Sequence, residues 1–489
     1  MSQKIRHLLQ ITIIVIVGFM VSDPANAGRY IVSSIATSTN WSAAEWTNYP
    51  NTPSCTPVTP QTAFARAQAG DTVYFRGGAG GNYNVSPTNY LTPALNPSNS
   101  GTAGSPITFT NYPGETPIIV NANHNCTSIY DDGCIGPVMG SHNKDYIVLD
   151  GFQFGNTQSW DNEGYTLVRF TGSKYCTIQN CVFKSLTNFV SKNAWSYSNP
   201  TMIGLYGNDG VTQTDTLISN CFLTGGADND RFNAIISYDA TRVTIQYTTI
   251  ESSRGGICLK DGGIDWTIRY NFIRNMADAY PLIKAGADGA GVRFRNLKAY
   301  QNVILLSSSN WGAFGTWNYG DTANIYNNTI YGANGTYNGI WATSETAGNT
   351  NISFFNNVVA RAGKFYYFKS GESPLLADYN IYDNRTPFSA TSNGTTHNWS
   401  NWRGTAGYDA HSYNEAVTWA NAGGTTAADY KCISSHKFNG RGGPYASVIG
   451  AYITGNETIG YSGTSPFSPS PAPPSDGSIQ PPVGLRVLQ

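Results

Sequence analysis

A short cassette returns at least seven times along the middle of the chain: an apolar residue, two variable positions, a small polar residue, then further apolar positions. It reads IQNCVF (178–183), ISNCFL (218–223), IQYTTI (245–250), IRYNFI (268–273), YQNVIL (300–305), IYNNTI (325–330) and FFNNVV (354–359), with outlying members VLDGFQF (148–154) and DYNIY (378–382). Aligned, Gly151, Cys181, Cys221, Thr248, Asn271, Asn302, Asn328, Asn357 and Asn380 fall in one column, with steps of 23 to 40 residues between them. That period, with β-branched and aromatic residues in alternating polarity, predicts a solenoid whose turns are strand and corner. A single coil cannot bury its own apolar face, so coils must stack and share one core. In-register amides stacked about 4.8 Å apart can then hydrogen-bond from coil to coil and satisfy a polar corner. The expected fold is all-β, a parallel β-helix.

At 489 residues, one long solenoid absorbs the chain as a single unit. Only 12% of residues are charged against 13% aromatic, with 31 Tyr and 11 Trp, and the net charge is −1. No basic stripe is present to neutralise phosphates, which argues against nucleic acid as a partner. Such a surface fits a secreted protein that meets polymeric sugars, and equally any extracellular β-rich scaffold. The N-terminus carries Lys4 and Arg6, an apolar run from Leu8 to Val21, and Ala25-Asn26-Ala27. This is the pattern of a secretory signal over residues 1–27, and the run is short for an uncleaved anchor. The expectation is a secreted or cell-surface monomer with no membrane span after cleavage. Export permits disulfides among the eight cysteines. Cys126 and Cys134 flank a short Asp-containing loop, while Cys181 and Cys221 share a column on adjacent coils. The second pair fits either a bridge or two buried free thiols.

Residues 28–145 read as an N-terminal cap and first coils, with a short helix around Thr62–Gln68 plugging the open end and a strand at Thr72–Phe75. The β-helix core spans 146–384. Residues 385–461 read as an irregular C-terminal cap, with Val448–Tyr452 as its last strand, and 462–489 as a Pro/Ser-rich disordered tail. The segments AQAGDTVYFRGG (67–78), YIVLDGF (146–152), the N-N-x-I corners, DYNIY, GYDAHS (407–412) and IGAY (449–452) resemble the secreted right-handed parallel β-helix repeat proteins, the pectate-lyase-like superfold. Right-handedness is implied by that resemblance, which covers roughly residues 30–455. The group includes lyases, hydrolases and epimerases, so fold leaves activity open.

A second strand precedes each corner: MIGLYGN (202–208), AIISYDA (234–240), GICLKDG (256–262), PLIKAGA (281–287), GAFGTWN (312–318), GIWATSE (339–345) and YYFKS (366–370). Matched on apolar positions, one column reads Tyr206, Tyr238, Lys260, Lys284, Thr316, Thr343 and Lys369, and its neighbour carries Asp239, Asp261 and Trp317. In that register Lys260 and Lys284 would sit about 5 Å apart. Two ammonium groups so close disfavour each other's charge. One becomes a competent general base for the proton α to a uronate carboxylate, while the other neutralises that carboxylate or protonates the leaving oxygen. Asp239, Glu251 and Asp261 are the expected tuners or ligands of a cation such as Ca²⁺. Tyr206, Tyr238, Arg231, Arg254, Arg293 and Trp317 are the expected substrate-binding groups. The bland alternative is that the lysines splay into solvent beside ordinary acidic partners.

The Lys260 context resembles the β-helical alginate lyase and chondroitinase B family, whose second basic position is arginine where this chain has Lys284. That resemblance implies a β-eliminating lyase on an acidic polysaccharide. Neither the calcium-dependent pectate lyase signature nor the paired-aspartate and Gly-His-Gly set of polygalacturonases is visible, which disfavours inverting hydrolysis. A non-catalytic glycan-binding or structural β-helix is the alternative reading. A glycoside hydrolase pairing Asp228, Asp239 and Asp261 across coils is the third. The excursion 192–198, with Trp195 and Tyr197, is long enough for a loop wall beside the face whose aromatics either stack on sugar rings or pack onto the solenoid, the second being the default.

Overall fold

The computed structural model describes residues 29–33, 58–78, 81–89, 91–122, 136–155, 166–184, 201–207, 210–225, 233–251, 253, 255–276, 281–286, 293–316, 320–337, 339–343, 348–439 and 446–463. Among these residues the strands form three long sheets of twelve, twelve and eleven strands, plus one two-stranded sheet. In each long sheet a strand pairs with its counterpart on the next coil, and the pairings are parallel except for the terminal Ala390–Ser392 with Thr395–His397. The chain is a parallel β-helix.

The first sheet runs from Arg29–Val32 to Leu376–Asp378 and the second from Asn82–Val85 to Tyr413–Glu415. Between them lies the corner that the cassette encodes. The residue just before the polar column is left-handed on every coil from Asn180 to Tyr379, with φ between 51° and 56°. This bend turns the following side chain inward. Asn271, Asn302, Asn328, Asn357 and Asn380 are fully buried, and each Nδ2 donates to Oδ1 of the next at 3.0–3.1 Å. Nδ2 of Asn328 also donates to the carbonyl of Ala299 at 2.9 Å, so the column closes the corner in two directions. The expected ladder forms in the expected register.

The interior is apolar. Phe154 stacks on Phe183 at 4.9 Å, and isoleucines repeat at 178, 218, 245 and 268, all fully buried. At the N-terminal end a helix covers Pro60–Arg66, two residues earlier than the sequence suggested. Thr59 caps it by accepting from the Thr62 N–H, and Pro60 suits the first turn because no donor is lost there. Phe64 from this helix stacks on Phe109 at 3.8 Å and closes the end of the core.

The C-terminal segment departs from expectation. Val448–Tyr452 forms no strand. Residues 446–463 instead run back along the solenoid as a strap. Its donors are taken by corner groups: Gly450 N–H by the Asn356 carbonyl, Ala451 N–H by Thr329 Oγ1, Gly460 N–H by the Tyr270 carbonyl and Ser462 N–H by Asn220 Oδ1. Ile449, Ala451 and Tyr452 thereby cover Phe272, Val303 and Val358 on the outside of the second sheet. This segment binds side chains and turns rather than a ladder.

The described cysteines, Cys176, Cys181, Cys221, Cys258 and Cys432, are buried free thiols, so the 181–221 pair is two neighbouring thiols and not a bridge. Cys126, Cys134, residues 1–28, the 192–198 excursion and the tail from 464 lie outside the described residues. Among the described residues no helix is long and apolar enough to cross a membrane.

Candidate functional site

The third sheet contains Thr166–Thr171, Thr201–Tyr206, Asn233–Tyr238, Gly255–Lys260, Ile283–Gly286, Gly312–Thr316, Gly339–Thr343 and Tyr366–Tyr367 as successive strands. Its register places Tyr206, Tyr238 and Lys260 in one column, as the sequence suggested. On the next coil the column continues to Gly286, because Ile283 pairs with Ile257. Lys284 therefore stands beside Cys258, two residues out of step with Lys260. A slip of two preserves the face, since side chains alternate with period two. Lys260 and Lys284 share a face at about 8 Å between Cα atoms, on the diagonal of one strand spacing and two residues of rise. Lys284 is nearly buried, 9% exposed. Thr316 and Thr343 leave the lysine column altogether: Thr316 pairs with Ala285, one residue off the lysine, Thr343 pairs with Thr316, and both are fully buried inside the coil.

Along the face the side chains make a continuous stack. The guanidinium of Arg169 lies 3.7 Å from the Tyr206 ring centroid. Tyr206 and Tyr238 stack at 5.1 Å with 20° between planes, and Lys260 Nζ lies 5.1 Å from the Tyr238 centroid. Gly204 makes room for this: a Cβ there would come within 2.5 Å of Tyr206 Cε2, so any larger residue would expel the ring. Burial pushes the Tyr206 phenol above its ordinary pKa, with the Arg169 charge opposing. A cation held against an aromatic face and shielded from water is worth about 1–2 kcal/mol. Arg169 escaped the sequence reading, since the aligned strands began one coil later. Its signal was an arginine alternating with buried residues in TLVRFT (166–171).

Asp239 and Asp261 follow Tyr238 and Lys260 directly, both left-handed, and Asp239 N–H donates to the Asp261 carbonyl at 3.0 Å. The Asp239 carboxylate packs on Gly207 and accepts from Thr212 Oγ1 at 3.5 Å. Glu251 does not join them. It lies in the second sheet, where Arg274 Nε donates to its Oε2 at 2.6 Å. Among the described residues no three His, Cys, Asp or Glu side chains converge in a way suited to a metal ion. Asp239, Glu251 and Asp261 do not come together as a donor set for Ca²⁺. Arg293 is also placed elsewhere, its Nη1 donating to the carbonyls of Gly348 at 2.9 Å and Gly320 at 3.5 Å, where it ties later coils together. Arg231, Arg254, Trp317 and Asp228 lie outside the described residues.

No protein-family model matches the sequence, and no curated protein matches it. Solved structures resemble it in outline. Polygalacturonase from Erwinia carotovora ssp. carotovora is 13% identical, with 76% of this chain and 94% of that chain covered at a TM-score of 0.46. XylC, solved in complex with xylose, is 11% identical over 81% and 88% of the two chains at a TM-score of 0.45. The PL6 family polysaccharide lyase from Pseudopedobacter saltans is 13% identical over 73% and 89% at a TM-score of 0.41. The likeness is one of fold.

Proposed function

We propose that this protein is a polysaccharide-active β-helix whose third sheet binds a uronate-containing chain and cleaves it by β-elimination. The Arg169–Tyr206–Tyr238–Lys260 stack carries this reading: it sets aromatic ring edges and hydroxyls in a row on one face beside the Arg169 charge, a surface suited to sugars and their carboxylates. In the proposed step the free-amine form of Lys260 Nζ takes the C5 proton α to the carboxylate and becomes the ammonium. The electron pair forms the C4–C5 double bond as the C4–O bond to the leaving sugar breaks. The Tyr238 phenol protonates that oxygen, and the charges of Arg169 and Lys284 stabilise the enolate-like carboxylate. The test is ultraviolet absorbance of the unsaturated product across alginate, pectate and glycosaminoglycans. Absence of that signal with all three sinks the lyase.

One observation favours the second reading, a non-catalytic glycan-binding solenoid. Lys284 is buried beside Cys258 and not against Lys260, so the close ammonium pair that would activate a base is not assembled. Binding without product would leave that reading standing. New reducing ends without ultraviolet absorbance would instead implicate Asp239 and Asp261 in hydrolysis.

A further inference from the structure

Further along the third sheet a second aromatic group stands apart from the Lys260 stack. Trp311, Tyr337 and Tyr367 come from three successive coils. Their centroids are spaced 5.5 Å and 5.0 Å, with planes tilted by 44° and 53°. All three rings are half-buried. Lys364 Nζ sits 5.8 Å from the Tyr337 centroid and 5.1 Å from that of Tyr367, and donates to Thr391 Oγ1 at 3.1 Å. Thr391 is the register partner of Tyr367. These two residues also line a cavity of about 370 Å³, together with Lys369, Ser370 and Gly394. Tyrosines stack on the first sheet as well, Tyr300 on Tyr326 at 4.8 Å for instance.

We infer that Trp311, Tyr337, Tyr367 and Lys364 form a distal subsite for an anionic sugar of the same glycan. The inference rests on the polysaccharide reading above. The chemistry is that of a stepped aromatic platform: pyranose faces are apolar and lie on rings, and ring edges flanked by a fixed ammonium favour a carboxylate. Tyr367 lies four strands beyond Lys260, about 19 Å along the axis. A chain reaching both sites must be several sugars long, and linking two contacts on one ligand multiplies affinity. The protein therefore discriminates by chain length.

The experiment compares wild type with Tyr367→Ala and Lys364→Gln, using calorimetry with size-graded oligogalacturonates and oligomannuronates and with neutral cello-oligosaccharides. Far-UV circular dichroism and melting control for folding. Both variants are expected to bind long acidic chains about tenfold more weakly, while retaining wild-type affinity for dimers and trimers. Unchanged affinity for long chains in both variants overturns the proposal, as does an equal loss for short and long. Equal wild-type affinity for neutral chains overturns the anionic assignment. Length-dependent binding without elimination product would uphold the subsite and sink the lyase, whereas product formation with an unaltered KM in Tyr367→Ala would do the reverse.

Discussion

Asn380 Nδ2 donates to the Asp409 carboxylate at 3.0 Å, at the coil where the internal asparagine ladder ends. Every amide in that ladder donates toward the C-terminal end, so their dipoles add and the last one faces a carboxylate. Asp409 also accepts from Trp402 Nε1 at 2.7 Å, from Tyr382 OH at 2.8 Å and from Ser412 Oγ, all of them buried residues. One side chain thus joins ladder to cap. Asp409→Ala should remove the acceptor these four buried donors share and destabilise by about 3 kcal/mol. Denaturant midpoints measure the loss, and a near-wild-type midpoint would mean that water replaces the carboxylate.

Asp409 also sets a pH dependence. Burial raises its pKa, and the four donated hydrogen bonds only partly oppose this. A raised carboxyl contributes stability that is full below the unfolded value and is lost as pH rises through the folded value. Wild-type stability should therefore fall with rising pH just above the ordinary carboxylate range, and Asp409→Asn should lack that segment. Asp215 has the opposite sign. Its hydrogen bonds to Arg242 lower its pKa, so its contribution is present above the unfolded value and lost on acidification. Unfolding curves from strongly acid to neutral pH distinguish the two.

Asn328→Leu should cost about 1–3 kcal/mol, because Asn302 N–H and Nδ2 lose their shared acceptor inside a dry corner. A thermal melt reads this directly. Wild-type stability would indicate that the corner relaxes and admits solvent.

Lys260→Ala should lower kcat/KM for elimination by about 100- to 10,000-fold, the usual worth of a general base. The fold should persist, since Lys260 lies on the outer face over the Tyr238 ring. Lys284→Ala should weaken binding of acidic chains, with the deficit growing at low ionic strength, where its charge is least screened. Steady-state assays at two salt concentrations separate the effects.

Cys181 and Cys221 should resist alkylation in the native protein and react on unfolding. Both are fully buried, and burial drives the Cys181 thiol well above its ordinary pKa, with the neighbouring Cys221 adding to the shift. Peptide mapping after labelling with and without denaturant checks this. A 181–221 disulfide in the mapped peptides would contradict the free-thiol geometry.

The repeat alone determined the solenoid, the corner and the ladder from Asn271 to Asn380, because each depends on a local pattern that recurs whenever a coil must close over a shared core. Tyr206, Tyr238 and Lys260 fell into line for the same reason: their strands carry matching apolar residues two positions apart. Lys284 did not. PLIKAGA (281–287) offers several apolar positions for Ile257 to meet, and only packing in the finished coil selected Ile283. Arg169 over Tyr206, Glu251 against Arg274 and the strap lying on the Asn327 and Asn356 corners are contacts across 23 to 123 residues of chain. No local period encodes these. They exist because stacking fixes which coils are neighbours, and side chains then find partners across the faces that stacking creates.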